Sequence, residues 1–324
     1  MADTNDSRRT FIKGAAMAAG AAIAGGFLEA KPGQAATPPI DPVLFGISDL
    51  HVHADPDVRP RSTDELALAR KAQQMGYRSL MLKSHDWCTQ DRAYLVRAAL
   101  PDFEVFGGIA MNKTHGDSVN VTAAEMAVKT TGRYCRCIWM PTYQSAWDAS
   151  HHNTKGIPVL DASGKVLPEV IKIMEICGRE NIIFATGHSA PAESVVLCKK
   201  AKEVGLKKCV VTHASEDIWK LTMDQAKECI DNGAFLEHAY LAAVFGPGTA
   251  MPKYTPTPLP EIAQMIKIAP ERTFITSDLG QAMMPSPIDG MRSFITGLLG
   301  LGFSQAEIDI IARRNPALLM GLDV

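Results

Sequence analysis

From about residue 43 onward, short apolar runs alternate with longer stretches whose apolar residues recur at helical spacing. The run Val43-Leu44-Phe45-Gly46-Ile47 leads into Ser48-Asp49-Leu50-His51-Val52-His53, which reads as a first strand ending in two histidines. Thr63 to Met75 carries Leu66, Ala69, Ala72 and Met75 on one helical face, with a cap expected at Ser62 or Thr63 and a stop at Gly76. Further strands are expected at Arg78 to Lys83, Phe103 to Ala110, Cys135 to Met140, Asn181 to Thr186, Lys208 to Thr212, Ala234 to Glu237 and Thr273 to Ser277. Eight βα repeats in a chain of 324 residues predict an α/β fold of the TIM (β/α)8 barrel type. A doubly wound sheet competes, but no Gly-rich phosphate turn follows the first strand. Two connections are long. Gly156 to Leu167 predicts a small β-hairpin after strand four, turning at Asp161 to Gly164, and Phe245 to Pro256 is a Gly/Pro-rich stretch suited to a lid.

Polar residues gather where these strands end. Strand one exits at His51 and His53, strand two at Lys83-Ser84-His85, strand five at His188 and strand six at His213. Strand seven exits at Glu237-His238 and strand eight at Asp278. Six of the nine histidines fall at these exits, and the C-terminal strand ends of a TIM barrel face one pocket. Alternation places His51 and His53 about 7 Å apart on one face, with Asp49 a step below, so both imidazoles suit one metal ion. It likewise puts Lys83 and His85 on a common inward face. His85 reads as a metal ligand or a substrate contact, and His238 as a weaker candidate for direct function. His151, His152, Arg59 and Arg61 read as solvated loop residues.

The ordered set resembles the amidohydrolase superfamily of metal-dependent hydrolases. The resemblance covers nearly all of the chain after residue 36, including a C-terminal Asn315-Pro316-Ala317-Leu318-Leu319. It implies a metal set drawn from His51, His53, Lys83, His85, His188, His213 and Asp278. It also implies a catalytic group of Asp278 as proton carrier, with His213 or His238 stabilising the developing oxyanion. Strand four ends Trp139-Met140-Pro141-Thr142 and offers no bridging ligand, so the resemblance is closest to a branch reading H-x-H, then K-x-H. Lys83 then serves as a carbamate bridge or as a plain ammonium, and the site holds one or two ions. Zinc fits the nitrogen and oxygen donors best, with manganese, iron or nickel allowed. The expected reaction is hydrolysis of an amide, ester or lactone bond in a small molecule. Non-oxidative decarboxylation and a non-catalytic ligand- or metal-binding module are the alternatives.

Composition changes little of this. A formal net charge of -2 gives no reason to expect nucleic acid as a partner, and no apolar run has the length of a stable membrane span. A homo-oligomer is compatible with the chain. Seven cysteines, an odd number without C-x-x-C spacing, predict mostly free thiols. The N-terminus adds a separate element, residues 1–36. Ser7-Arg8-Arg9-Thr10-Phe11-Ile12-Lys13, an Ala/Gly-rich run and small residues near Ala35-Ala36 resemble a twin-arginine export signal. That resemblance implies the twin-arginine translocase as a partner and a periplasmic or secreted destination, with residues 37–324 as the barrel.

Overall fold

The computed structural model describes residues 41–324; the twin-arginine motif lies outside the described residues. Eight parallel strands run in chain order around one sheet: β1 (Ser48–Val52), β2 (Ser79–Leu82), β3 (Glu104–Ala110), β4 (Cys135–Trp139), β5 (Ile183–Ala185), β6 (Cys209–Val211), β7 (Phe235–Ala239) and β8 (Thr273–Thr276). The barrel helices between and after them are α1 (Glu65–Gln74), α2 (Gln90–Ala99), α3 (Val121–Lys129), α4 (Pro168–Glu180), α5 (Pro191–Glu203), α6 (Met223–Asp231), α7 (Leu259–Ile266) and α8 (Pro287–Gly300). A TIM barrel is the observed architecture.

Closure occurs between β1 and β8. His53 N donates to Leu279 O at 2.8 Å and Asp278 N donates to His51 O at 2.8 Å. Asp49 secures the same seam, accepting from Ser277 N at 3.0 Å and from Thr276 Oγ1. It therefore works in the barrel wall and does not join the two histidines above it.

Several boundaries differ from the sequence expectation. Residues 42–46 form a turn, and β1 begins only at Ser48, because Gly46 takes a left-handed φ of 76° that a strand does not use. Asp64 caps α1, accepting from Ala67 N at 2.8 Å, in place of Ser62 or Thr63. The hairpin after β4 shrinks to one antiparallel bridge, Leu160 with Val166, around the Asp161 to Gly164 turn.

Two apolar layers pack the outside of the sheet against the helices. Inside, Leu50, Met81, Phe106, Trp139, Ile183 and Phe274 fill the barrel. Burying each is worth roughly 1.5–3 kcal/mol. At the strand starts, Leu319 and Met320 of the helical tail join this cluster, with Ser79 Oγ 3.9 Å from Met320 Sδ. The opposite, C-terminal mouth is left for polar groups.

Candidate metal centre

One residue of irregularity in β1 explains how Leu50 and His51, adjacent in the chain, both face inward. The β1–β2 register advances three residues on β1, Asp49 to Val52, against two on β2, Leu80 to Leu82. Such a bulge lets Leu50 join the interior, turns Val52 to the helix side, and leaves His51 and His53 both aimed at Asp278. His51 Nε2 and His53 Nε2 lie 2.9 and 3.1 Å from the same oxygen, Asp278 Oδ1. All three side chains are buried. Among the described residues they form one of two groups of convergent donor atoms; the other is His213, Glu216 and Asp278.

Each imidazole is held from behind. His51 Nδ1 meets Glu237 Oε1 at 3.0 Å, His188 Nδ1 meets Asp148 Oδ2 at 2.6 Å, and His213 Nδ1 meets Glu216 Oε1 at 2.8 Å. A carboxylate can only accept, so each of these rings keeps a proton on Nδ1. With protons on Nδ1 alone, His188 and His213 would present two lone pairs to each other across the 3.2 Å between their Nε2 atoms, unless one ring carries a second proton there. A cation bound between or beside them removes that repulsion. We therefore read Glu216 as the group that orients His213, although its oxygens also lie within reach of the second donor group. Asp148, Glu216 and Glu237 were not singled out from the sequence, because a lone acid carries no periodic or spacing signal.

His53 differs. Arg61 Nη2, which can only donate, sits 3.2 Å from His53 Nδ1, so the neutral ring carries its proton on Nε2. That proton faces Asp278 Oδ1 at 3.1 Å, off the line of a well-formed hydrogen bond. Ligation through Nε2 requires Arg61 to release Nδ1. Arg61 is no solvated loop residue: it is buried and paired with Asp57 at 2.7 Å. Arg59 stays half-exposed, 2.6 Å from Asp86 and stacked over Tyr143.

Lys83 is buried, with Nζ 2.8 Å from His51 Nε2 and 5.4 Å from the Trp139 ring centre. His85 stacks on His53 with ring centres 4.9 Å apart, and its Nδ1 meets Thr142 Oγ1 at 2.9 Å. Asn112 fixes that pair, donating to Thr142 Oγ1 at 2.6 Å and to His85 O at 2.7 Å. His238 is the exception among the expected site residues. Alternation on β7 sends Glu237 inward and His238 to the helix side, where its Nδ1 meets Ser215 Oγ at 2.9 Å. It reaches none of the convergent donors, so a direct role for His238 is corrected. His151 and His152 are exposed, as expected for loop residues.

Burial and charge set the titration of the cluster. Burial pushes His51 down, but the Asp278 carboxylate outweighs it and raises the ring to about 9. Burial pushes Asp278 up, yet the charge and hydrogen bond of His51 hold it well below the usual carboxylate range. Burial lowers Lys83, and lowers His53, His85 and His188 well below an ordinary imidazole. His53, His85, His188 and Lys83 are thus favoured as neutral nitrogen donors around one ionised carboxylate, whereas His51 holds a proton against Asp278 that a metal ion would have to displace. The donor set fits a divalent cation.

Two of these residues sit on strained backbone. His213 and Asp278 have φ of 59° and 49°, in the left-handed region that non-glycine residues seldom occupy. Above them lies a narrow cavity of about 10 Å³, bounded by residues that include Tyr143, Trp219, Leu241, Phe245 and Gln281. A larger hollow of about 580 Å³, beside Pro56, Trp87 and His115, shares no residue with the donor cluster. The chemistry selects the smaller one.

Residues 46–237 match the profile of a group described as "Family of unknown function (DUF6282)". The chain belongs to that family. The DUF6282 match takes in His51, His53, Lys83, His85, His188 and His213 and stops before Asp278. No curated protein sequence matches this DUF6282 chain. Among solved structures it is similar to the phosphotriesterase homology protein from Escherichia coli, described as complexed with phosphate in the active site. That pair has a TM-score of 0.55 at 13% identity, covering 85% of this chain and 99% of the other. The probable dipeptidase PvdM from Pseudomonas aeruginosa gives a TM-score of 0.60 at 12% identity, covering 85% and 94%. A dihydroorotase gives 0.55 at 14%, covering 86% and 69%. At these identities the likeness establishes the shared barrel.

Proposed function

We propose that this protein is a metal-dependent hydrolase of the amidohydrolase type, acting on an amide, ester or lactone bond of a small molecule. The observation that carries the reading is the convergence of His51 and His53 on one oxygen of Asp278 at the closing seam of the barrel. The hydrolase descriptions of structural neighbours support it.

His51, His53 and Asp278 would hold one ion, and His188 with His213 would hold a second where Lys83 supplies a bridge. A divalent ion held there, zinc by preference, would supply Lewis acidity to the scissile bond and make the attacking water easier to deprotonate. Asp278 moves the proton. Its Oδ1 is turned to the two histidines, which leaves Oδ2, 3.8 Å from His213 Nδ1, to take a proton from the attacking water and pass it to the leaving group. His213, whose Nδ1–H is held by Glu216, turns its Nε2 lone pair to the site and would act as a ligand, leaving the developing negative charge to the ion it helps hold. Lys83 decides the count of ions. Burial depresses its pKa, and the neutral amine is the form that adds carbon dioxide to become a carbamate.

The test is metal content by mass spectrometry, joined to a hydrolase screen over amides, esters, lactones and phosphoesters. The expected result is one or two equivalents of a divalent metal and turnover of a carbonyl substrate. His51→Ala with His53→Ala should lose both. Retention of metal and activity by that double variant would overturn the reading, and carbon dioxide release without hydrolysis would replace it with decarboxylation. The Arg8-Arg9 motif supports export by the twin-arginine pathway; Arg8→Lys with Arg9→Lys should hold the protein in the cytoplasm.

A further inference from the structure

Resting on the hydrolase reading, a second set of observations bears on what the site binds. Trp219 lines the small cavity, is only 3% exposed, and its Nε1–H is buried without an acceptor. Its ring is pinned. It packs 4.5 Å from His188, 5.2 Å from His213 and 5.5 Å from Tyr254, measured between ring centres. An indole N–H left unpaired inside a protein costs as much as a lost hydrogen bond, so an unspent donor beside the reacting groups calls for a ligand acceptor.

Gln281 supplies the complement. Its Nε2 donates to Asp278 O at 2.9 Å, which fixes the orientation of the amide, since the reverse would set two carbonyl oxygens against each other. The remaining Oε1 is buried and has no donor. Glu216 Oε2, also lining the cavity, is likewise without a partner. The unspent groups are therefore one donor and two acceptors. No lysine or arginine lines the cavity, and Leu241, Phe245 and Met251 form an apolar wall. A carboxylate on the part of the substrate lying against that wall would lose its water and gain no cation.

We propose that Trp219 and Gln281 form a specificity pair that reads an uncharged group bearing both an N–H and a carbonyl oxygen. The indole donates to the carbonyl oxygen and Gln281 Oε1 accepts from the N–H. The hydrocarbon part of the substrate lies on Leu241, Phe245 and Met251. The pair selects amides over esters and neutral tails over acidic ones.

Calorimetric titration of the zinc-loaded protein with three hydroxamates tests this without requiring turnover. Butyrohydroxamic acid carries the N–H and a neutral tail, its N-methyl derivative keeps the chelating oxygens but lacks the N–H, and succinic monohydroxamate adds a tail carboxylate. The expected result is that N-methylation and the carboxylate each weaken binding about tenfold, the scale of one unmet buried hydrogen bond. Trp219→Phe should weaken butyrohydroxamate to a similar degree. Gln281→Met should erase the penalty of N-methylation. Equal binding of all three ligands, or tighter binding of the succinyl compound, overturns the pair while leaving the metal site intact. Failure of the same sample to retain zinc overturns the hydrolase reading itself, and this inference with it.

Discussion

Two layers of the barrel interior, one to four residues apart along the chain where one strand serves both, have opposite character. In the middle layer Leu50, Met81, Ile183 and Phe274 meet as hydrocarbon and thioether. At the mouth His51, Lys83, Glu237 and Asp278 meet as charge and hydrogen bond, all buried. The apolar layer gains free energy simply by leaving water. The polar layer loses hydration and is kept only because each group has a partner or lies where a ligand can supply one. The contrast assigns stability to the first layer and function to the second.

Substitutions in the two layers should therefore separate along those lines. Asp278→Asn keeps the shape but removes the charge that both histidines face, so bound metal should be lost and kcat/KM should fall about a thousandfold or more. Chelation by EDTA should have the same effect, reversed by zinc. Phe274→Ala in the layer below should cost about 3–5 kcal/mol in urea unfolding while leaving the metal stoichiometry unchanged. Loss of metal in the Phe274 variant at a concentration where it is folded would blur the distinction.

A third experiment concerns an ionisable group buried outside both layers. Burial lifts Glu65, at the start of α1, to about 8, against the opposing charge of Arg92. A folded pKa above the unfolded value means that the native state binds the extra proton. Its favourable linkage is full below about 4.5 and is lost as pH rises to about 8. Glu65→Gln should flatten that decline and raise stability at pH 8, relative to wild type, by on the order of 2 kcal/mol, with little change near pH 4. The smallest effect is expected for His238→Gln, whose ring faces the helices: catalytic constants should stay within about twofold of wild type.

The eight strands were legible because each is an apolar run closed by polar residues, and a barrel requires that pattern at every step. His51, His188, His213 and Asp278 were legible as a set because they close successive runs. What eluded the sequence hinged on single residues. Whether Glu237 or His238 faces inward depends on the phase of a short strand, and a shift of one position exchanges them. Asp148 comes from a one-turn helix after β4, and nothing in its spacing ties it to His188 forty residues later. Arg61 read as solvated because its partners, Asp57 and His53, lie in a loop whose path no periodicity dictates. Trp219 carries no spacing signal at all, and only its unpaired N–H in the fold distinguishes it.

The left-handed backbone at His213 and Asp278 has a consequence for descent within the family. Each position holds a residue that glycine would replace at a gain of about 1 kcal/mol in backbone ease, so chemistry alone opposes the drift. Once a lineage no longer needed turnover, that opposition would vanish and glycine or asparagine would accumulate at these two places ahead of others. A relative that keeps the eight strands but carries glycine at either position would be a barrel retired from catalysis, recognisable from its sequence without an assay.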